Sequence, residues 1–324
     1  MRTSSQLIPL LEPIRPQIEQ VERLLHEKLA KVEEPLSSML RRSLGGGKQL
    51  RSALVILAGQ TFAPSTAPFH SLAAAVEMLH AATLIHDDLL DEAPLRRGRG
   101  TLHTIWPTAA TVLAGDYLLG QATSLIAELE SPRIAKVFGE LLCTICAGEI
   151  RRILITTEKR FCREDYYRGI EAKTASLFAA ATEMAGILAG VGESQITVLR
   201  RFSRELGMAF QITDDVLDFI GNETQLGKPA GNDLRQGLVT LPVLYYLESV
   251  EDDTLVSVVL SGQRDEEHVQ AAIEAVCSSG AIEDSLAEAR IHARRSQKAL
   301  ATLPDSTPRQ MLCSLVEYVV QRRR

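Results

Sequence analysis

The chain has 324 residues, 45% of them hydrophobic and 23% charged, with a formal net charge of −6 at pH 7. This balance is typical of a globular protein with a sizeable core. The negative net charge argues against non-specific binding of nucleic acid, so any bound phosphate must be held by a local basic cluster. Five scattered cysteines, an odd number, indicate a reduced intracellular protein, and we expect a cytoplasmic location.

Apolar residues recur at helical spacing from about Gln17 to the end of the chain, and no segment alternates as a strand would. Two segments, 71–88 and 172–190, are apolar on most faces, which is typical of helices inside a bundle. No long linker divides the chain. We therefore predict one all-α domain over residues 1–324, a bundle of about ten or more helices. In chain order, the breaks between helices fall at Pro35, 45–47, 63–68, Pro94, Pro132, 221–237 and Pro304.

Three features suggest no chemistry of their own. Cys143 and Cys146 form a CxxC pair, but no second pair and no βαβ pattern accompany it, so we predict buried helix positions for both. Residues 251–269, EDDTLVSVVLSGQRDEEHV, are expected to form a solvated, acidic helix pair. The final QRRR, 321–324, is interpreted as a basic end in solvent.

Two matched acidic motifs dominate the sequence. The motif DDLLD in LIHDDLLDEAPLRRG is repeated as DDVLD in QITDDVLDFIG, 127 positions later (214 − 87). Both follow an apolar helical segment and precede a breaker, so the carboxylates lie near helix C-termini, where the helix dipole is already negative. A single copy would fit a solvated helix end, but two copies favour binding of divalent cations such as Mg²⁺. The carboxylates are Asp87, Asp88, Asp91, Asp214, Asp215 and Asp218.

Basic residues stand near these motifs and elsewhere in short polar segments. The segment GGGKQLR, 45–51, precedes a predicted helix start, where backbone N–H groups favour phosphate. It lacks the spacing of a Walker A loop. Taken singly, each cation is more typical of a surface residue, but together they point to phosphate binding. The set comprises Lys48, Arg51, Arg96, Arg97, Lys173 and Lys228.

From about Leu44 to Leu247 the chain resembles the trans-isoprenyl diphosphate synthases, also called polyprenyl synthases. The resemblance implies the isoprenoid synthase fold around a central apolar cavity, and a homodimer. It also implies Mg²⁺-dependent head-to-tail (1′-4) condensation of isopentenyl diphosphate with an allylic diphosphate, giving an all-trans polyprenyl diphosphate. A transient membrane contact at product release would accompany a long product. The matching segments, in family order, are GGGKQLR, HDDLLDEAPLRRGRGTLH, VLAGDYLLGQA, GEI, AKTASLFAAA and FQITDDVLDFIGNETQLGKPAGNDLRQGLVTLP.

The resemblance also assigns roles to residues. The six aspartates would hold about three Mg²⁺ ions per active site with substrate bound. The allylic diphosphate would be contacted by Arg96, Lys173, Thr174, Gln211 and Lys228. Isopentenyl diphosphate would be bound by Gly47, Lys48, Arg51, His80 and Arg97. The residues expected to be catalytic are Asp87, Asp88, Asp91, Arg96, Lys173, Asp214 and Lys228.

Some positions have a second interpretation or depart from the family pattern. His80 on an apolar helix could be a core histidine, but we favour the ligand role because it precedes Asp87 by two helical turns. Leu238 stands where many members have a basic residue, which puts one auxiliary phosphate contact in doubt. Arg151 and Arg152 replace the usual neutral residues or Gln, and we expect them to alter metal or substrate handling.

Product length depends on the helix that precedes Asp87. Ala82 and Thr83, five and four residues before Asp87, are small, so the growing tail would pass on towards Met78 and Leu79. We therefore predict six or more isoprene units, with about eight favoured, in an apolar cavity that excludes water.

Three alternative functions stay open or are disfavoured. They are a short-chain geranylgeranyl or farnesyl diphosphate synthase, a partner subunit of a heteromeric synthase, and a class I terpene cyclase. The intact second DDxxD and the paired basic sites disfavour the cyclase. The six retained aspartates disfavour the non-catalytic subunit.

Overall fold

The computed structural model describes residues 4–44, 49–63, 67–96, 98–158, 161–221 and 230–322. The first half of the chain contains α1 Ser4–Leu11, α2 Arg15–Ala30, α3 Leu36–Ser43, α4 Leu50–Gln60, α5 Ala67–Leu90, α6 Thr108–Ala127 and α7 Pro132–Glu158. The second half contains α8 Arg163–Ile170, α9 Ser176–Leu188, α10 Glu193–Ile220, α11 Asn232–Arg235, α12 Leu241–Ser249, α13 Leu255–Ser261, α14 Glu266–Ser278, α15 Ala281–Leu300 and α16 Thr307–Gln321.

Three short elements interrupt these helices. Two 3₁₀ turns span Glu12–Ile14 and Leu102–Thr104, and a π-helical turn spans Glu171–Ala175 between α8 and α9. A two-residue antiparallel ladder joins Leu95–Arg96 (β1) to Arg99–Gly100 (β2). This ladder is the one departure from an all-helical prediction within the described residues, and the prediction of an all-α fold is confirmed.

The two segments with apolar residues on most faces lie inside the bundle, as predicted. On α5, all residues from Leu72 to Leu79 except Glu77 are buried, and on α9 all residues from Leu177 to Ala181 are buried. α4 packs against both of these helices, while α10 lies along α9 and α15. Because alanine is frequent on α5 and α9, neighbouring helices can approach closely on several sides. The acidic end of α5 therefore follows a densely packed part of the helix.

The C-terminal helices form a smaller apolar cluster of their own. The predicted helix pair at 251–269 is present as α13 and the first turns of α14, but it is solvated on only one face. Val256, Val259 and Val269 are buried, whereas Glu266 and Glu267 are exposed. The valines recur at helical spacing and so turn one side of each helix towards the cluster.

The prediction of buried positions for Cys143 and Cys146 is wrong, because both are exposed on α7. The core face of α7 is formed by residues such as Phe138 and Leu141, which are buried. Cys143 follows Leu141 by two residues, about 200° around the helix, so it points away from the core. Within the described residues, moreover, none of the helices is both long and apolar enough to cross a bilayer.

Candidate active site

The first acidic motif lies where α5 ends. Asp87 and Asp88 are in its last turn and are each 8% exposed, and Asp91 follows directly after the helix. Pro94 comes three residues later, where it cannot continue the helix, and the chain turns into β1 with Arg96. The predicted placement of carboxylates at the negative end of a helix is therefore correct.

Each aspartate of this motif pairs with a basic side chain from another part of the chain. The pairs are Lys173 Nζ with Asp87 Oδ2 at 3.0 Å, Arg96 Nε with Asp88 Oδ1 at 2.5 Å, and Arg152 Nη2 with Asp91 Oδ1 at 2.8 Å. Lys173 also lies 3.4 Å from Glu149 Oε2, and Arg152 pairs with the same carboxylate. The result is a charge cluster at the end of α5, in which the ion pairs connect Asp87, Lys173, Glu149, Arg152 and Asp91 in series, and the Asp88–Arg96 pair lies beside them.

Burial acts against the negative charge in this cluster. It raises the pKa of Asp87 above its ordinary value even with Lys173 beside it, and it raises the pKa of Asp88 even with Arg96 beside it. The cost of burying these carboxylates thus outweighs the attraction of Lys173 and Arg96. An additional cation nearby would favour the ionised forms of Asp87 and Asp88. Among the described residues, no three His, Cys, Asp or Glu side chains lie close enough to hold a metal ion by themselves. The donor set fits Mg²⁺, which takes few protein carboxylates and completes its shell with water and phosphate oxygens.

The π-helical turn Glu171–Ala175 links the two acidic motifs. Lys173 reaches Asp87 of the first motif, while the Thr174 hydroxyl donates to Gln211 Oε1 at 2.8 Å. Gln211 Nε2 in turn donates to Asp215 Oδ1 of the second motif at 2.8 Å. Two neighbouring residues of one turn therefore contact both halves of the predicted site.

This turn is clamped between two helices by close packing. A Cβ on Gly207 of α10 would lie 2.6 Å from Ala175 Cα, and one on Gly148 of α7 would lie 2.4 Å from Ala172 Cβ. Both positions therefore require glycine unless the turn moves. A π-helical turn is rare and is frequent at functional sites. Here it directs Lys173 and Thr174 towards the two motifs.

A series of charged side chains also holds the π-helical turn Glu171–Ala175 in place. Arg204 donates to both carboxylate oxygens of Glu171 at 2.6 Å and to Glu205 at 3.0 Å. Glu205 lies 2.7 Å from the ring of His292 on α15, and both are almost fully buried. The bidentate geometry fixes the start of the turn against α10.

The second acidic motif lies in the last two turns of α10. Asp215 accepts hydrogen bonds from the Tyr166 hydroxyl at 2.7 Å and from Gln211. Burial raises the pKa of Asp215 well above its ordinary value in spite of these donors. Asp218 Oδ2 accepts from the backbone N–H of Asp233 at 2.9 Å. Asp214 is half exposed, with Arg322 Nη2 at 3.2 Å.

Arg322 shows that the interpretation of the basic tail is wrong at this residue. Its side chain is 2% exposed, lies over the Phe210 ring at 4.0 Å and donates to the Phe210 carbonyl at 2.6 Å. The arginine follows α16 directly, and the packing of α16 against α10 brings it to the second motif. Sequence analysis missed it because no local spacing relates residue 322 to residue 214. The one feature of the sequence that could have indicated this contact is that Arg322 directly follows an amphipathic helix.

The other predicted residues divide into two groups. Arg51 lies in the first turn of α4 with its guanidinium 5.2 Å from the centre of the Phe178 ring, and His80 is half-buried on α5. The placement of Gly47, Lys48, Arg97 and Lys228 lies outside the described residues.

The residues predicted to control product length lie on the interior face of α5. Met78, Leu79 and Ala82 are at most 3% exposed, and Thr83 is half-buried. α6 packs closely along this helix: a Cβ on Gly115 would lie 2.2 Å from His86 Nε2. Leu118, one turn further along α6 than Gly115, is fully buried. The wall beneath the first motif is therefore apolar.

Comparison with known proteins agrees with this geometry. The family model described as polyprenyl synthetase matches residues 33–276. Heptaprenyl diphosphate synthase component 2 of Geobacillus stearothermophilus is 36% identical, over 92% of this chain and 97% of that protein. Octaprenyl diphosphate synthase of Escherichia coli (strain K12) is 34% identical, over 86% and 87%. The crystal structure of a polyprenyl synthase from Caulobacter crescentus CB15, complexed with calcium and isoprenyl diphosphate, superposes with a TM-score of 0.91 at 33% identity, over 99% and 98%.

Fold and site together define an all-α prenyltransferase. The chain belongs to the polyprenyl synthetase family. It catalyses trans-prenyl condensation of isopentenyl diphosphate with an allylic diphosphate, a reaction that is metal-dependent in this family in general. The predicted family, fold class and reaction are thereby confirmed, whereas the comparisons leave the product length open.

Proposed function

We propose that this enzyme is a long-chain, Mg²⁺-dependent polyprenyl diphosphate synthase whose active site lies between the ends of α5 and α10. The observation that supports this best is the pairing of every carboxylate of the first motif with a cation from elsewhere in the chain. Ion pairs that only stabilise a fold can also shift the pKa values of their members. Buried carboxylates with raised pKa values and several charged partners, as at the end of α5, are nevertheless typical of a functional site. In this proposal the metal ligands are Asp87, Asp88, Asp91, Asp214, Asp215 and Asp218.

The reaction requires the C–O bond of the allylic diphosphate to break while a C–C bond forms to isopentenyl diphosphate. About three Mg²⁺ ions, when bound, supply positive charge that stabilises the departing diphosphate. In this proposal Arg96, Lys173 and Lys228 donate to phosphate oxygens directly, and Lys228 lies outside the described residues. Thr174 and Gln211 orient the same group. No protein nucleophile is needed.

The second substrate has its own basic residues in this proposal. Arg51 and His80, with Gly47, Lys48 and Arg97, hold the diphosphate of isopentenyl diphosphate so that its double bond faces the allylic carbon. After attack, the proton lost from isopentenyl diphosphate passes to the departing diphosphate. The apolar wall of α5 keeps water away from the allylic cation.

Product length follows from the interior face of α5. Ala82 leaves room where a bulky side chain would stop the tail, and the tail then runs along Met78 and Leu79. We propose a product of six or more isoprene units, with about eight favoured, because a small side chain at this level does not close an apolar cavity. The short-chain alternative requires another side chain to close the cavity at the level of Ala82.

The same proposal covers assembly and location. An exposed apolar surface runs along two helices and comprises Val112 and Leu113 on α6 with Ile150, Ile153 and Leu154 on α7. No charged residue interrupts α7 from Leu141 to Gly148. Exposed apolar side chains on two helices fit a second copy related by a two-fold axis, because such an axis brings the same surface of both copies together. We place this homodimer in the cytoplasm, with a transient membrane contact at product release.

A charge inside this surface is expected to break the dimer. Leu113 is 64% exposed, so Leu113→Asp changes little within one subunit but buries a carboxylate in the interface. Light scattering after gel filtration should give about 71 kDa (2 × 35.5) for the wild type and about half of that for the variant. Leu255→Asp, at an exposed apolar residue on α13, serves as the matched control and should stay dimeric. A wild-type mass of 35.5 kDa would contradict the proposal.

A heteromeric synthase is the second candidate. One specific observation favours it, namely that a relative at 36% identity is named as component 2 of a heptaprenyl diphosphate synthase. The test of the proposed function is incorporation of labelled isopentenyl diphosphate by the purified chain alone, followed by sizing of the product. Activity of the chain alone supports the single-component enzyme.

A further inference from the structure

Arg152 belongs to the charge cluster but has no place in the chemistry proposed above. Its guanidinium lies 2.8 Å from Asp91 Oδ1, and Glu149, three residues earlier on α7, accepts from the same side chain. The Arg152 and Asp91 side chains are about a quarter exposed. Two carboxylates, one on its own helix and one at the end of α5, therefore hold this arginine in the site.

The neighbouring arginine provides a comparison within the same helix. Arg151 Nη2 lies 2.5 Å from Asp165 Oδ1, at the start of α8, and its side chain is half exposed. Asp165 belongs to neither acidic motif. The two arginines are therefore alike in sequence context and charge, yet only Arg152 contacts a proposed metal ligand.

A cation at Asp91 must influence how a divalent ion binds there. A metal ion that coordinates Asp91 either displaces the guanidinium from Oδ1 or binds beside it. Displacement loses a charge-assisted hydrogen bond, and binding beside it brings like charges within a few ångströms. Both effects act against the metal, whereas a neutral side chain at residue 152 would impose neither.

We propose that Arg152 lowers the affinity of the first acidic motif for divalent metal ions by pairing with Asp91. This inference rests on the proposed role of Asp91 as a metal ligand. The residue acts through Asp91 and is a positioning residue, not a catalytic one. Since ion pairs with this exposure are individually weak, the effect on the metal concentration required is about fivefold.

The experiment follows the thermal unfolding midpoint of the full chain during a Mg²⁺ titration, first with the metal alone and then with inorganic pyrophosphate. The variants are Arg152→Gln, Arg152→Lys and, as the matched control, Arg151→Gln. Arg152→Gln should reach half of its Mg²⁺-dependent rise at about fivefold lower Mg²⁺ than the wild type. Arg151→Gln should match the wild type, and Arg152→Lys should stay close to it because the charge is kept.

The outcomes separate this inference from the proposal on which it rests. A half-point for Arg152→Gln equal to or above that of the wild type would overturn the inference and leave the metal site intact. A shift of the same size in Arg151→Gln would also overturn it, because the effect would then come from overall charge. If no protein responds to Mg²⁺ in either condition, the proposed metal site fails and the inference fails with it. The midpoint without Mg²⁺ reports any loss of folding separately.

Discussion

Asp87→Ala is expected to lower kcat for isopentenyl incorporation by about 10²- to 10³-fold, the scale on which loss of one group that stabilises transition-state charge acts. The Asp87 carboxylate is almost fully buried at the end of α5, and alanine offers no oxygen atom at that position. Its removal also leaves Lys173 paired with Glu149 alone, 3.4 Å away, and so displaces a residue that we propose as a phosphate ligand. The measurement is Mg²⁺-dependent incorporation of labelled isopentenyl diphosphate at saturating substrate.

An aspartate outside the motifs provides the control for Asp87→Ala. Asp116 on α6 is about half exposed and lies 3.6 Å from His86 Nε2, so Asp116→Ala removes a carboxylate close to α5 without touching the cluster. We expect near wild-type turnover from this variant. Full Mg²⁺-dependent turnover by Asp87→Ala would mean that the first motif does not hold the metal.

Ala82→Tyr is expected to shorten the product by several isoprene units. Ala82 is 3% exposed on the interior face of α5, about one and a half turns before Asp87, so an aromatic ring there would block the proposed path of the tail close to the diphosphate. Reversed-phase chromatography of the dephosphorylated products measures the change. Overpacking of a buried site also costs about 1–3 kcal/mol, so the thermal midpoint must be followed in parallel.

Two results distinguish a change of length from general damage. Ala301→Tyr, at an exposed alanine directly after α15, adds the same ring away from the interior and should leave the product unchanged. An Ala82→Tyr enzyme that is slower but makes the wild-type product would show that the tail does not pass this residue. In that case the predicted length would lose its basis.

The helices and the acidic motifs could be predicted because their signals are local. Periodicity places Asp87 and Asp214 on helices, and the breakers Pro94 and Gly221 place both motifs near helix ends. The structure agrees on each point. The same local rules predicted that α5 and α9 lie inside the bundle, since helices with apolar residues on most sides are buried.

The partners of these residues could not be predicted from local signals. The sequence marks Arg152 only as a departure from the family pattern. Its contact with Asp91 spans 61 positions along the chain and has no local signal. Arg322 is more distant still from Phe210, and its burial depends on how α16 packs against α10. Cys143 and Cys146 were predicted to be buried because neither a second CxxC pair nor a βαβ pattern accompanies them, but their helical phase relative to Leu141 turns them outwards. The spacing of residues identifies which side of a helix each one occupies, whereas tertiary packing decides which residues that side contacts.

The measurement that tests the central claim most directly uses the purified chain with no other protein. It is incubated with labelled isopentenyl diphosphate, farnesyl diphosphate as the allylic primer and Mg²⁺, and the products are sized by chromatography. Our account predicts metal-dependent all-trans products of six or more isoprene units, with about eight predominant, because the small side chain of Ala82 would let the growing tail pass. No incorporation by the chain alone, with activity restored by a second protein, would contradict the single-component enzyme, and a product of only three units would contradict its assignment as a long-chain synthase.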